Sequence, residues 1–167
     1  MRTLKDEQKL YHLLSEMSRL CLDILGIAET HWNAETPESW EQDGYVIFSS
    51  SRKDQTHRQG AAIIVKKELA QNVTDYQSIS ERLISIKIDT KNGPITVFQV
   101  YAPDSSYSDI DVDIFFETLQ VEINNLPKKN KYFILGDFND KIGRHAYWYF
   151  IGTNFRGEIF SRTQKFI

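Results

Sequence analysis

Lys131-Tyr-Phe-Ile-Leu-Gly-Asp-Phe-Asn-Asp140 passes from a short apolar run through one glycine straight into polar residues. Tyr132 to Leu135 have no polar alternation, the pattern of a central strand covered on both faces, although a buried helix segment reads the same way. Four residues favour the strand. Gly136 lets the backbone turn or approach another group closely, which would put Asp137 and Asn139 at the strand's carboxyl end, aimed into a cleft by a rigid element. A plain Asx turn accounts for Gly-Asp-Phe-Asn equally well, because Asp and Asn are ordinary turn residues. The surrounding chain decides between them.

Working outward, Ser108 and Asp111 form a capping-box pattern, and Val112, Phe115, Phe116, Leu119, Ile123 and Leu126 follow at helical spacing as far as Pro127. Upstream, Leu83 to Ile88 and Ile95 to Val100 flank Asn92-Gly93, a hairpin signal. The hairpin delivers Tyr101-Ala-Pro103, where proline stops the ladder. Leu83 to Ile88 alternates as a half-buried strand does. Gly44 to Phe48 and Gly60 to Val65 read as strands joined by the polar loop 49–59, expected to be mobile and exposed. Leu22 to Ala28 reads as a buried strand ending in Glu29-Thr-His-Trp32, and before it Thr3 with Asp6 caps a helix expected over residues 4–20. Helix, strand, a set of strands with a hairpin, helix, strand is the order of a mixed α/β layered fold with helices on the outer faces of β-sheets. After Lys141 the aromatic run Ile142 to Ile151 has neither clean alternation nor a helical stripe, and no element is assigned there.

The 167 residues suit a single domain over 1–167, able to bury on the order of 70% of its unfolded surface. No apolar run approaches the roughly 20 residues of a membrane helix. Met1-Arg-Thr-Leu-Lys-Asp-Glu lacks the order of a secretory signal, and Cys21 is the only cysteine, so an intracellular setting, nucleus or cytosol, is expected. A net charge of −3 argues against bulk electrostatic capture of nucleic acid. Local basic clusters remain: Arg52-Lys53 with Arg58, Lys66-Lys67, and Lys128-Lys129 with Lys131. Any one of them is more often solvated surface than interface.

Glu29, Tyr101, and Asp137 with Asn139 all sit where strands end, and they would converge if those strands lie side by side. Two carboxylates, an amide and a phenol suit a hard cation and phosphate oxygens, since Mg²⁺ is commonly held by one or two protein carboxylates plus substrate phosphate. Taken alone, Glu29 is more readily an exposed loop carboxylate, His31 carries the same discount, and Trp32 and Trp40 read as packing residues.

At these residues the sequence resembles the endonuclease/exonuclease/phosphatase superfamily, and most of all the endonuclease domains of non-LTR retrotransposons and the host proteins similar to them. The resemblance is carried by Ile24 to Trp32, Gly60 to Val65, Glu81 to Ile88, Val100 to Pro103 and Leu135 to Asn139, in the family's order. It is clear over about 2–141, with 142–167 divergent. It implies a four-layer α/β sandwich and a Mg²⁺-dependent phosphodiesterase, with Mn²⁺ as a substitute cation and DNA as substrate. By the resemblance Glu29 binds the metal, Tyr101 hydrogen-bonds the scissile phosphate, Asp137 positions the attacking water, and Asn139 binds phosphate oxygens. The loop residues Arg52, Lys53 and Arg58 would meet DNA phosphates. The sequence also departs from the family. Arg2-Thr-Leu4 looks like the tail of a first core strand without its metal-site Asn, and no closing Asp-His strand is found. His31, His57 and His145 do not inherit that histidine's role. The domain thus looks truncated at both ends, and a catalytically inactive remnant or host-adopted binding domain is the alternative. Inositol phosphatase or sphingomyelinase chemistry fits the same site without a specificity motif of its own.

Overall fold

The computed structural model describes residues 7–32, 36–50 and 60–139. Its elements are α1 (Glu7–Arg19), β1 (Ile24–Ala28), β2 (Ser39–Gln42), β3 (Tyr45–Ser49), β4 (Ala61–Lys66), α2 (Lys67–Ala70), β5 (Val73–Ser80), β6 (Leu83–Ile88), β7 (Ile95–Tyr101), α3 (Asp109–Asn124) and β8 (Lys131–Asp137). One sheet runs β1-β4-β3-β2, all antiparallel; the other runs β5-β6-β7-β8, with β7 and β8 parallel.

Side-chain alternation builds four layers. Leu10, Leu14 and Met17, spaced by four and three along α1, pack on Tyr45, Ile47, Ala62 and Ile64 of the first sheet. The opposite face of that sheet, through Phe48, Ile63 and Val65, meets Ile84, Ile86, Ile88 and Val97 of the second. The second sheet's outer face, through Leu83, Phe98 and Val100, is covered by Phe115 and Leu119 of α3. The result is a helix-sheet-sheet-helix sandwich.

The hairpin forms as the sequence indicates. Gly93, at φ +100°, donates its N–H to the Thr90 carbonyl, and Leu83 to Ile88 pairs residue for residue with Ile95 to Val100. β6 is more buried than a half-buried strand, because α3 closes its second face. The capping box of α3 forms in full, with the Ser108 hydroxyl accepting from the Asp111 N–H and the Asp111 carboxylate accepting from the Ser108 N–H. α1 is described from Glu7, so the Thr3 and Asp6 cap lies outside the described residues.

Two expectations need correction. β8 is not central: among the described residues it pairs only with β7, leaving Tyr132 37% and Phe133 56% exposed. Its run is apolar on both faces because Ile134 meets α3 while Leu135 points between the sheets. The strand β1 is likewise an edge and only partly buried. Three elements were not anticipated: β2, the single turn α2, and β5.

Candidate active site

Strand registers put the polar strand ends together. Ala28 pairs with Ala61, Ser49 with Ala62, Leu83 with Val100, and Tyr101 with Asp137, so Glu29, Tyr101, Asp137 and Asn139 all emerge at one end of the sandwich. Tyr101 and Asp137 share the strand parity of Val97 and Leu135, which face the other sheet. That parity turns both side chains toward the end of β1.

The contact across the sheets is direct. The Tyr101 hydroxyl donates to Glu29 Oε1 at 2.6 Å. Tyr101 is 7% exposed, and burial followed by the hydrogen bond and charge of Glu29 pushes its phenol up to about 12. Glu29 lies in the left-handed region at φ +57°, as does His31 at φ +53°, so the chain turns sharply after β1. Buried Thr30 pins this turn by donating its N–H to the Gly60 carbonyl at 3.2 Å. The second carboxylate oxygen, Glu29 Oε2, stands 4.0 Å from His31 Nε2, and the Glu29 side chain is 48% exposed.

At the end of β8 an Asx turn does form: Asp137 Oδ1 accepts the Asn139 N–H at 2.9 Å, with Asn139 at φ +49°. The turn and the site coexist, because among the described residues the other oxygen of Asp137 has no partner and can meet a ligand. Asn139 Nδ2 donates one hydrogen to the Ala102 carbonyl at 2.6 Å, and among the described residues its second N–H and its carbonyl oxygen have no partner. Gly136 allows the approach: a Cβ there would lie 2.0 Å from the Val100 carbonyl oxygen.

Between β1 and the end of β8 runs a groove of about 450 Å³, bounded by Gly26 and Ala28 on one side and by Gly136 to Asn139 on the other. Gln99, 1% exposed, reaches into it across the sheets, and its Oε1 has no partner among the described residues. A Cβ on Gly26 would sit 1.8 Å from that oxygen, so the glycine makes room for the amide.

Among the described residues no group of three or more His, Cys, Asp or Glu side chains stands ready to enclose a metal ion. A sparse set still suits Mg²⁺, which keeps waters and needs only one or two carboxylates. Glu29 Oε2 and the free oxygen of Asp137 are hard donors of that kind, and Asn139 adds an amide oxygen.

The basic clusters separate by register. Lys66 and Lys67 lie at the far end of β4 and pair with Glu68 at 3.8 Å and Glu41 at 2.5 Å, while Lys131 opens β8 at the end opposite Asp137. Arg52, Lys53 and Arg58 lie outside the described residues, but the flanking Ser50 and Gly60 do not. Ser50 and Ala61 bond each other through N–H to carbonyl at 2.8 Å and N–H to hydroxyl at 3.0 Å, beside the Thr30 to Gly60 contact.

Arg82 and Gln99 were not singled out by the sequence reading. Arg82 adjoins the turn that leads into β6 and reaches Tyr101; Gln99 is, with Thr96, one of two buried polar residues in the mainly apolar strand β7. An amide between Phe98 and Val100, in the middle of a mainly apolar run, is the signal for it.

A family model for the endonuclease/exonuclease/phosphatase family matches residues 3–161. The chain belongs to that family. Craniofacial development protein 2 of Bos taurus is 34% identical over 135 residues, 81% of this chain and 22% of the relative. The chain therefore spans under a quarter of the length of the curated relatives it matches. The endonuclease domain of TRAS1, a telomere-specific non-LTR retrotransposon, has the same fold: TM-score 0.62 at 19% identity, covering 98% of this chain and 64% of that one. The catalytic domain of Xenopus laevis APE2 gives a TM-score of 0.61 at 18% identity, over 77% of this chain and 54% of that one. The four-layer sandwich is thus the endonuclease/exonuclease/phosphatase fold.

Proposed function

We propose that the site is a metal-dependent phosphodiesterase that nicks DNA, of the retrotransposon-endonuclease type. The observation that carries this reading is the 2.6 Å hydrogen bond from Tyr101 to Glu29, made by a residue whose strand partner is Asp137. It joins three residues far apart in sequence into one polar rim. The likeness to the TRAS1 endonuclease domain and to craniofacial development protein 2 supports the DNA branch over other phosphate esters. With Cys21 as the only cysteine, we place the chain inside the cell, in nucleus or cytosol.

In this reading Glu29 would hold the cation, Mg²⁺ or Mn²⁺ in its place, which would supply Lewis-acid polarisation at a phosphoryl oxygen, while Asp137 serves the water. Tyr101 keeps its proton at neutral pH, and with substrate bound its single O–H would turn from Glu29 Oε1 to a non-bridging phosphate oxygen. Asp137 orients the attacking water through its free oxygen and accepts its proton. The remaining N–H of Asn139 meets the charge that develops on phosphate. Arg52, Lys53 and Arg58, between Ser50 and Gly60 in sequence, would contact the flanking DNA phosphates.

The test is nicking of supercoiled plasmid with Mg²⁺ or EDTA by the chain and by Glu29→Ala and Asp137→Ala. Nicking that requires Mg²⁺ and falls on the order of 10²- to 10³-fold in each variant supports the reading. Absence of nicking by folded protein supports a second reading, a binding domain without catalysis.

A further inference from the structure

Arg82 is 8% exposed, yet among the described residues no carboxylate forms an ion pair with it. A buried cation with no carboxylate in contact is costly unless other groups hold it. Here backbone and aromatic rings do so, and the charge reaches Asp104, whose carboxyl is held below its ordinary value by hydrogen bonds from Ser106 first and also by Arg82. Arg82 Nη1 donates to the Tyr101 carbonyl at 3.1 Å, and the Tyr101 N–H donates to the Arg82 carbonyl at 2.8 Å. The guanidinium carbon stands 4.8 Å from the centre of the Tyr101 ring and 4.6 Å from that of Tyr107. Tyr107 is brought there by a turn in which Asp104 Oδ1 accepts from the Ser106 N–H at 2.8 Å and from its hydroxyl at 2.6 Å, while the Asp104 carbonyl accepts the Tyr107 N–H at 3.2 Å.

We infer that Arg82 is a positioning residue for Tyr101: held between the Tyr101 and Tyr107 rings, it fixes the Tyr101 ring so that its hydroxyl meets Glu29 or, once substrate is bound, the phosphate. The catalytic consequence rests on the phosphodiesterase reading; the orientation does not. A planar guanidinium suits this place better than an ammonium, because it stacks on both rings while one edge bonds the carbonyl. A cation on the ring face also draws electron density from the ring, which makes the phenol a stronger donor.

The test is a double-mutant cycle on the full chain, with plasmid nicking in Mg²⁺ and the Tyr101 ¹³Cζ resonance as two readouts. Arg82→Gln lowers the maximal rate about 10- to 100-fold and leaves the half-saturating DNA concentration within about twofold. Arg82→Lys restores part of the rate. In a Tyr101→Phe background Arg82→Gln costs less than about twofold more, because its effect runs through the phenol. An equal loss in both backgrounds, or a weaker DNA affinity with a lower salt slope, overturns the inference and makes Arg82 general support or a phosphate contact. If the unsubstituted chain does not nick, the phosphodiesterase reading fails, and the resonance decides the positioning role. It must then move in Arg82→Gln and return toward its original place in Arg82→Lys. An unmoved resonance in folded Arg82→Gln overturns the inference. Should Arg82→Gln not fold, Arg82→Lys carries the same cycle, with a partial rate loss that Tyr101→Phe abolishes.

Discussion

A phenol that is buried and bonded to a carboxylate holds its proton beyond the usual range, and Tyr101 is such a phenol, pushed up to about 12 by burial first and Glu29 second. Two outcomes follow at this residue. Removing the hydroxyl in Tyr101→Phe is expected to reduce nicking on the order of 10²-fold, since one preorganised donor to the transition state is lost. The second concerns stability. The folded-state value lies above the ordinary 10, so the native state keeps a proton that the unfolded chain gives up, and the contribution is fully present below pH 10. It is lost as pH rises from about 10 to about 12. Denaturant unfolding across that window should show a steeper loss for the natural chain than for Tyr101→Phe, and parallel curves would refute it. Gly136 is constrained by backbone instead: at φ +147°, with the Val100 carbonyl oxygen 2.0 Å from any added Cβ, Gly136→Ala must push β8 off β7. A cost of about 1–3 kcal/mol or more is expected, read as a lower denaturant midpoint.

The elements differ in how openly the sequence declares them. β6 and β7 were legible because apolar residues flank Asn92-Gly93, whose turn closes on Thr90. α3 was legible from both ends, and its cap has a measurable weight. Ser108→Ala removes the hydroxyl that accepts the Asp111 N–H and should cost about 1 kcal/mol in a denaturant melt, whereas an unchanged midpoint would mean that the Asp111 carboxylate caps alone. β5 was hidden because register shifts at Val73/Asp75 and Ser78/Ser80 break its alternation, and β2 because it has four residues at a sheet edge. The same logic applies to the site. Glu29, Tyr101, Asp137 and Asn139 each follow an apolar run, so their strand-end positions were readable. Arg82 follows Ser80-Glu81 and is covered by Tyr101 from β7 and by Tyr107 from the segment after it, contacts that no local pattern encodes.

For the molecule as a whole, the unanswered features are the edges. Among the described residues β1 and β8 each pair on one side only, and they flank the groove that holds Asp137 and Asn139. Unpaired backbone groups along a strand are a template for another chain, and β8 presents Phe133 at 56% exposure beside Tyr132 at 37%. Lys131 is the single charge along β8 before Asp137, too little to block pairing along the middle of the strand. The protein is therefore expected to associate through β8 as its concentration rises, visible as a concentration-dependent sedimentation coefficient. Phe133→Lys places a charge in the middle of that edge without touching Ile134 or Leu135, which face the cores, so the fold should survive while association falls. An unchanged sedimentation profile in Phe133→Lys would show that β8 is not the contact. If association falls and nicking rises in the same variant, the edge pairing and the groove compete for one surface, because the strand that pairs is the one that carries Asp137.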